Sequence, residues 1–332
     1  MLRWTGVLAF ALTAIVTVGW LAMTHPWSGN AEPPRDDPAA DRDAKPAKAI
    51  PFDAKRAMGY LDQICKIGPR ISGTQGMKKQ QELLKKHFET HGGKASFQEF
   101  TARQRSRRDA LTMANLIVRW HEERPRRVIL CAHYDTRPIA DQEENPRNWH
   151  QPFLSANDGG SGVACLMELA HHMRNVPTEV GVDFVFFDGE EYIFQQGHDK
   201  YFFGSEHFAD QYRKARPKNR YVAAVLLDMI AGKDAHFPIE QNSWFKAGPL
   251  VQELWKIAAE QKCTAFRKEF SNSPVDDDHL ALNAAGIPAV DIVPNLEDYR
   301  HWHRLSDVPA NCSGETMAEV ARVLTTWLQR VK

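Results

Sequence analysis

The sequence predicts a single α/β domain whose central sheet is mixed, mostly parallel and flanked by helices. Apolar runs of strand length at 128–132, 184–187 and 222–227 are separated by stretches with helical periodicity. Strands that alternate with helices are typical of a parallel sheet with helices on its faces. The 332 residues and zero formal net charge fit a globular protein with no basic footprint for nucleic acid.

The other predicted elements follow the same alternation along the chain. Helical spacing covers residues 52–91, interrupted at 68–73 by a loop that contains glycine and proline. The polar segment 141–152 is predicted to be a surface loop. The remaining predictions are strands at 95–100, 115–120 and 289–293 and helices at 162–173 and 313–331.

The N-terminal region has a different composition from the rest. Arg3 precedes an apolar run from Trp4 to Met23 that is long enough to cross a bilayer as a helix. We expect residues 1–24 to anchor the protein in a membrane with its main domain outside the cytoplasm. The alternative is a cleaved signal segment and secretion. Residues 25–50, rich in proline and charge, are expected to form a disordered linker to a folded domain at 51–332.

The cysteines do not define a disulfide framework. There are five, an odd number, and no two form a C-x-x-C pair. An extracytoplasmic location permits disulfides, and Cys131 with Cys165 is a conceivable pair because both flank the region of the predicted site.

Possible metal ligands follow the ends of the predicted strands. In open α/β sheets, ligands bind just beyond the carboxyl ends of the strands. Imidazole and carboxylate groups are the usual nitrogen and oxygen donors for zinc. Of two adjacent glutamates, one can bind a metal while the other carries a proton. The residues at these positions are His133, Asp158, Glu190, Glu191, Asp228 and His303.

Each of these residues also has an ordinary structural explanation. Two glutamates after a strand can begin a helix, and an aspartate before two glycines is typical of a turn. We interpret His171, His172 and His207, which lie on helical stretches, as surface residues, and Asp276-Asp277-Asp278 as a solvated loop. The coincidence of several ligand types at successive strand ends nevertheless favours one metal site.

Asp135 adds a supporting position. It lies two residues after His133, so on an extended chain the two side chains point to the same side. A carboxylate there could accept the other ring N–H and fix the imidazole tautomer.

The ordered segments AHYDT, NDGGSG, FFDGEE, LLDMI and HWH resemble the zinc aminopeptidase family that includes the glutaminyl-peptide cyclotransferases. The resemblance covers nearly all of residues 52–332. It implies a zinc aminopeptidase or phosphorylase/hydrolase-like fold, with Zn²⁺ at the carboxyl edge of the sheet, and a catalytic role for the domain at 51–332.

The resemblance also implies roles for the candidate residues. Asp158, Glu191 and His303 would hold one zinc ion. In two-metal members, His133 and Asp228 would hold a second ion, with Asp158 bridging the two. Glu190 would be the general acid/base, and Asp228 would also be a catalytic residue. The substrate pocket would include Asp277, His279 and Trp302.

The family contains two chemistries that act on peptide or protein N-termini. A cyclotransferase converts N-terminal glutamine into pyroglutamate and releases ammonia, whereas an aminopeptidase hydrolyses the first peptide bond. The long segment 191–205, the DDH segment that begins at Asp276, and Trp302 favour the cyclotransferase. The NDGGSG loop favours the aminopeptidase, as does Gln195-Gln196 where a second pocket tryptophan is expected.

We therefore predict a zinc-dependent glutaminyl-peptide cyclotransferase with one or two Zn²⁺ ions. The alternative is a zinc aminopeptidase. A third hypothesis is a non-catalytic, membrane-tethered binding module. The complete ligand set and Glu190 argue against the third, because a binding module needs neither.

Overall fold

The computed structural model describes residues 49–215 and 218–332. The predicted anchor at 1–24 and all but the last two residues of the predicted linker at 25–50 lie outside this part of the chain. The elements, in chain order, are α1 (Ala54–Cys65), α2 (Gln75–Thr90), β1 (Lys94–Ala102), β2 (Leu111–Trp120), β3 (Arg126–His133), α3 (Ser161–Met173), β4 (Gly181–Phe187), α4 (Phe203–Ala215), β5 (Arg220–Leu227), β6 (Phe237–Ile239), α5 (Gln241–Glu260), β7 (Phe266–Phe270), α6 (Asp278–Ala284), β8 (Ala289–Ile292) and α7 (Gly314–Leu328). None of the helices in the described residues is both long enough and apolar enough to span a bilayer.

Six strands form the central sheet in the order β1-β2-β4-β3-β5-β8. β3 pairs in parallel with β4 and β5, and β8 continues in parallel from β5. β1 and β2 extend the sheet beyond β4 as antiparallel strands. The predicted fold class, a mixed and mostly parallel sheet flanked by helices, is confirmed. The carboxyl ends of β3, β4 and β5 consequently meet at one edge of the sheet.

Helices cover both faces of the sheet. Leu130 and Ala132 of β3 belong to a buried cluster with residues of α1, α2, α3, α5 and α7. Ile129 and Cys131 point to the other face, where they join a cluster with residues of α4 and α6. All seven positions of β4 are buried as a result, which explains why this strand is a continuous apolar run rather than an alternating one.

The five cysteines are free thiols. Cys131 packs in the cluster under α4 and α6, whereas Cys165 of α3 packs in the cluster on the opposite face. The sheet therefore separates the two sulfur atoms, and the conceivable Cys131–Cys165 disulfide does not form.

Candidate active site

Two groups of possible metal ligands meet at Asp158. One group is His133, Asp158 and Asp228, and the other is Asp158, Glu191 and His303, with the ligand atoms of each group within 4.8 Å of one another. Asp158 Oδ1 lies 3.0 Å from His133 Nε2, and Asp158 Oδ2 lies 3.4 Å from His303 Nε2. Asp228 lies 3.3 Å from His133 Nε2, and Glu191 lies 3.2 Å from His303 Nε2. The structure thus brings together all five predicted ligand positions.

The sheet topology places most of these side chains. His133 is the last residue of β3, and Asp228 directly follows β5. Glu190 and Glu191 follow β4 after a turn at Gly189, whose φ of +72° is readily adopted only by glycine. These side chains converge because β3 lies between β4 and β5 in the sheet.

The loop that carries Asp158 is held by a buried carboxylate. Asp307 accepts hydrogen bonds from the backbone N–H of Asn157 (2.9 Å) and of Asp158 (3.1 Å). The next residue, Gly159, has a φ of +72°, and a Cβ atom there would lie 2.5 Å from the Asp135 carbonyl oxygen. The glycines of NDGGSG therefore let this loop approach the end of β3 closely.

Asp135 connects the ends of β3 and β4. Its carboxylate accepts hydrogen bonds from the backbone N–H groups of Glu190 (3.1 Å) and Glu191 (3.2 Å). It lies 3.6 Å from His133 Nδ1, which is too long for a hydrogen bond. Asp135 therefore holds the backbone of Glu190 and Glu191 directly, and the His133 imidazole lies beside its carboxylate.

The donor set fits a zinc ion. Asp158 Oδ2 and Asp228 Oδ1 are buried and have no hydrogen-bond partner among the described residues. Burial raises the pKa of Glu191 to about 7 and also raises the pKa of Asp228. Buried carboxylates this close together are costly unless a cation compensates them. Imidazole nitrogen and carboxylate oxygen atoms are the donors that zinc accepts.

Glu190 belongs to neither ligand group. Its side chain is 13% exposed, and its Oε2 atom lies 3.8 Å from His133 Nδ1. Burial raises the pKa of this carboxyl well above its ordinary value. A carboxyl that lies beside a metal site without belonging to a ligand group is suited to carry protons.

A cleft of about 260 Å³ opens onto the two ligand groups. Trp302, one of the candidate pocket residues, lines it, and the centroid of its ring lies 4.2 Å from that of the His303 ring. The further apolar lining is Tyr201, Phe202, Val275 and Leu296. The sequence prediction did not include Tyr201 and Phe202, although the aromatic run Tyr201-Phe202-Phe203 was a signal for them.

The glutamines at the position expected for a second pocket tryptophan have a different role. Gln195 and Gln196 are exposed. Gln196 Oε1 accepts a hydrogen bond from Arg137 Nη2 (2.7 Å) and another from the Tyr201 hydroxyl. Gln196 thus supports Tyr201, and Tyr201 supplies an aromatic ring to the cleft.

Arg137 and Asp141 support the second ligand group and were not predicted. The backbone N–H of Arg137 donates to Glu191 Oε1 (2.9 Å), and its buried guanidinium pairs with Asp141 at 2.7 Å. Asp141 Oδ1 lies 3.3 Å from His303 Nδ1, and its side chain is only 7% exposed. The side chain of Asp141 therefore points into the site, although this residue begins the polar segment 141–152 that is predicted to be a surface loop.

The Asp276-Asp277-Asp278 segment is not a solvated loop as a whole. Asp276 is exposed, whereas Asp277 and Asp278 are buried. Asp277 lines the cleft, and its carboxylate accepts a hydrogen bond from the Asp278 N–H at the start of α6 (2.6 Å). Burial raises the pKa of Asp277 to about 7. His279, predicted for the pocket, does not line the cleft and lies fully buried 3.3 Å from Glu240.

The histidines interpreted as surface residues are half-buried. His207 stacks on Phe100 with ring centroids 4.6 Å apart. His171 and His172 lie in the last turn of α3, and the ring of His171 contacts that of His91. They lie at the surface, as interpreted, but neighbouring rings cover part of each of them.

Known proteins share this architecture. The crystal structure of a glutaminyl cyclase from Fimbriiglobus ruber is similar, with a TM-score of 0.84 and 52% identity over 87% of this chain and 100% of that chain. A leucine aminopeptidase precursor from Bacteroides thetaiotaomicron has a TM-score of 0.79 and 28% identity, over 86% of this chain and 100% of that chain.

The curated relatives are more distant in sequence. The glutaminyl-peptide cyclotransferase of Gloydius blomhoffii is 22% identical over 245 residues, which are 65% of this chain and 65% of that protein. The model for peptidase family M28 matches residues 115–328, a span that contains Glu190 and all five ligand positions. With this match and the likeness of the whole fold, the chain belongs to peptidase family M28.

Proposed function

We propose that the protein is a zinc-dependent glutaminyl-peptide cyclotransferase that acts on the N-terminal glutamine of peptides or proteins. The observation that carries this proposal is the position of Glu190. Its carboxyl faces an aromatic-lined cleft beside, but outside, two ligand groups that share Asp158. The 52% identity to a bacterial glutaminyl cyclase supports the choice of this chemistry.

In this proposal, Asp158, Glu191 and His303 hold one zinc ion. His133 and Asp228 complete a second position with Asp158, so the chain can hold one or two ions. Bound zinc supplies a Lewis acid that polarises the carbonyl of the substrate's γ-amide. Asp135 and Asp307 orient the residues that carry these ligands, through the backbone hydrogen bonds that they accept.

Glu190 moves the proton in the proposed reaction. The α-amine nitrogen of the substrate forms a bond to the γ-carbon, and Glu190 accepts the proton that this nitrogen loses. Glu190 then gives that proton to the amide nitrogen, whose bond to the γ-carbon breaks, and ammonia leaves. The ring that closes is pyroglutamate, and Glu190 returns to its starting protonation state.

The cleft favours attack by the amine over attack by water. A volume of about 260 Å³ suits one short side chain and its amino group. Trp302 and Tyr201 present aromatic surface that can pack on the glutamine side chain. Holding the amine and the γ-amide of one residue together makes the cyclisation an intramolecular step, which gains rate through proximity.

A specific observation also favours a second candidate, a zinc aminopeptidase. The His133–Asp158–Asp228 group is complete, and Asp228 Oδ1 is buried with no hydrogen-bond partner in the described part of the chain. A second metal position of this kind suits the activation of water for hydrolysis. The likeness to a leucine aminopeptidase precursor is in line with this alternative.

The products of two peptides distinguish these activities. We would incubate the zinc-loaded protein with Gln-Phe-Ala and with Leu-Phe-Ala and determine product masses. The cyclotransferase proposal predicts loss of one ammonia from the glutamine peptide and an unchanged leucine peptide. Release of free leucine would instead establish the aminopeptidase. No product from either peptide, with zinc bound, would favour a binding module.

We further propose that residues 1–24 anchor the enzyme in a membrane, that 25–50 link the anchor to the catalytic domain at 51–332, and that this domain acts outside the cytoplasm. The apolar run after Arg3 supports this arrangement. Fractionation of cells that express the full chain tests it, together with the mass of the N-terminal peptide. Recovery of a processed chain in the soluble extracytoplasmic fraction would favour signal cleavage and secretion.

A further inference from the structure

Three histidines form a separate cluster at the other end of α3. His87 and His91 belong to the end of α2, and His171 lies in the last turn of α3. The active-site loop precedes α3, so the ten residue steps from Ser161 to His171 place this cluster roughly 15 Å further along the helix. One ring nitrogen from each histidine lies within 4.8 Å of the other two.

The helical spacing aligns the rings. His87 and His91 are four residues apart and therefore lie on the same face of α2. Their ring centroids are 4.5 Å apart, and the His91 centroid lies 4.0 Å from that of His171. The ligands of one tetrahedral zinc ion lie roughly 3.4 Å from each other, given zinc–nitrogen distances near 2.0–2.1 Å. Small side-chain rotations would bring these rings to that spacing.

Hydrogen bonds already determine which nitrogen of two rings carries a proton. His87 Nε2 lies 2.8 Å from the Met167 carbonyl oxygen, and His91 Nδ1 lies 2.8 Å from the His87 carbonyl oxygen. A carbonyl oxygen only accepts, so each of these nitrogens donates. The lone pair is then on Nδ1 of His87 and on Nε2 of His91. Metal-binding histidines typically show this arrangement, with the second nitrogen donating to an oxygen atom.

The third ring and the charge state fit the same pattern. His171 Nε2 lies 2.7 Å from the Tyr60 hydroxyl, which can accept its proton, and the lone pair is then on Nδ1. Burial lowers the pKa of His87 to about 4, so this ring is neutral at neutral pH, and burial also lowers the pKa of His171. The nearby carboxylate of Glu168 is paired with Arg56 at 2.5 Å. All three rings are half-buried, so an ion can enter from solvent.

We propose that His87, His91 and His171 bind a zinc ion at a site separate from the active site. Three imidazole nitrogens form a donor set that suits zinc, and water would complete the coordination. The ion would join α2 to α3 and so stabilise the packing of these helices. Turnover at the active site does not depend on it.

Zinc content at a buffered free zinc concentration tests the proposal. We would compare the full-length wild type with His91→Ala and His171→Asn, and use His207→Ala, a half-buried histidine outside the cluster, as the matched control. The expected result is one fewer zinc ion per chain in each cluster variant and no change in the control. Added zinc should also raise the Tm of the wild type further than that of the two variants.

Activity on the glutamine peptide separates this site from the active site. The proposal expects His91→Ala and His171→Asn to keep the turnover rate and the remaining zinc of the wild type. Equal zinc content in the wild type and both cluster variants would overturn it. Loss of turnover together with the ion would also overturn it, because the lost ion would then belong to the active site.

Discussion

Asp135 influences both ligand groups without belonging to either. Its two carboxylate oxygens each accept one backbone N–H, from Glu190 and Glu191, and His133 lies beside it. The proton carrier and one ligand of the His303 group therefore depend on a single buried side chain. A small change in this carboxylate should alter zinc affinity without removing any ligand.

We predict that Asp135→Asn weakens zinc binding by about 10- to 100-fold. The asparagine NH₂ group cannot accept a hydrogen bond, so one of the two backbone N–H groups loses its partner. Titration against a competing chelator measures the affinity. Asp199→Asn is a matched control, because Asp199 also accepts backbone N–H groups, from Phe194 and Gln195, but contacts no ligand. Equal zinc affinity in Asp135→Asn and the wild type would contradict this role.

At the scale of elements, the site depends on how closely the NDGGSG loop approaches β3. Gly159 lies against the Asp135 carbonyl oxygen and the His133 ring, where an added Cβ would be 2.5 and 2.9 Å from its neighbours. Gly286, between α6 and β8, has a similar φ of +82°, but among residues 49–215 and 218–332 nothing beyond its chain neighbours comes within 4 Å of such a Cβ. A comparison of alanine substitutions at these two glycines therefore separates the cost of the left-handed backbone conformation from the cost of steric crowding.

We predict that Gly159→Ala destabilises the protein more than Gly286→Ala does. Both changes place alanine in the left-handed region, at a cost of roughly 1–2 kcal/mol. Only Gly159→Ala adds overpacking against backbone, which typically costs about 1–3 kcal/mol more. Urea unfolding of both variants measures the difference in the free energy of unfolding. An equal loss of unfolding free energy in the two variants would contradict this prediction, because the NDGGSG loop could then move away from β3 to make room for the methyl group.

The central strands and the helices α1, α2, α3 and α7 could be predicted from the sequence, because each buried strand is an apolar run and these helices keep a regular apolar spacing. The short β6 and the interrupted α5 could not be predicted. β6 has only three residues, Phe237–Ile239, which is too short for a pattern. α5 contains Pro249 and a non-helical residue at Ala247, so its periodicity is interrupted.

At the scale of the whole molecule, the candidate site assembles residues that are far apart along the chain. Strand ends made the ligand positions predictable, since the carboxyl ends of parallel strands share one edge. The supporting residues Arg137 and Asp141 lie in a loop without periodicity, and only the folded chain brings Asp141 to His303. The same applies to Asp277, which looks like a solvated aspartate until the fold buries it.

Metal removal should therefore affect the stability of the whole domain. A chelator that strips zinc leaves several buried carboxylates uncompensated, and an ion that binds only the folded state stabilises it by about 2.7 kcal/mol at 100 times its Kd. We predict a Tm that falls by several degrees and recovers when zinc is added back. Calorimetry with and without chelator measures this, and Mg²⁺ in place of zinc is the control. An unchanged Tm in a protein shown to have lost its zinc would contradict the prediction.

The proposed function places the cyclisation of N-terminal glutamine in the cleft around Glu190 and Asp158. The most direct test is ammonia release from Gln-Phe-Ala by the wild type and Glu190→Gln, with zinc content measured on the same samples and the exposed Glu206→Gln as control. We predict that Glu190→Gln lowers the rate by about 10²- to 10⁴-fold at unchanged zinc content, while the control keeps both. Comparable ammonia release by Glu190→Gln and the wild type would contradict the claim.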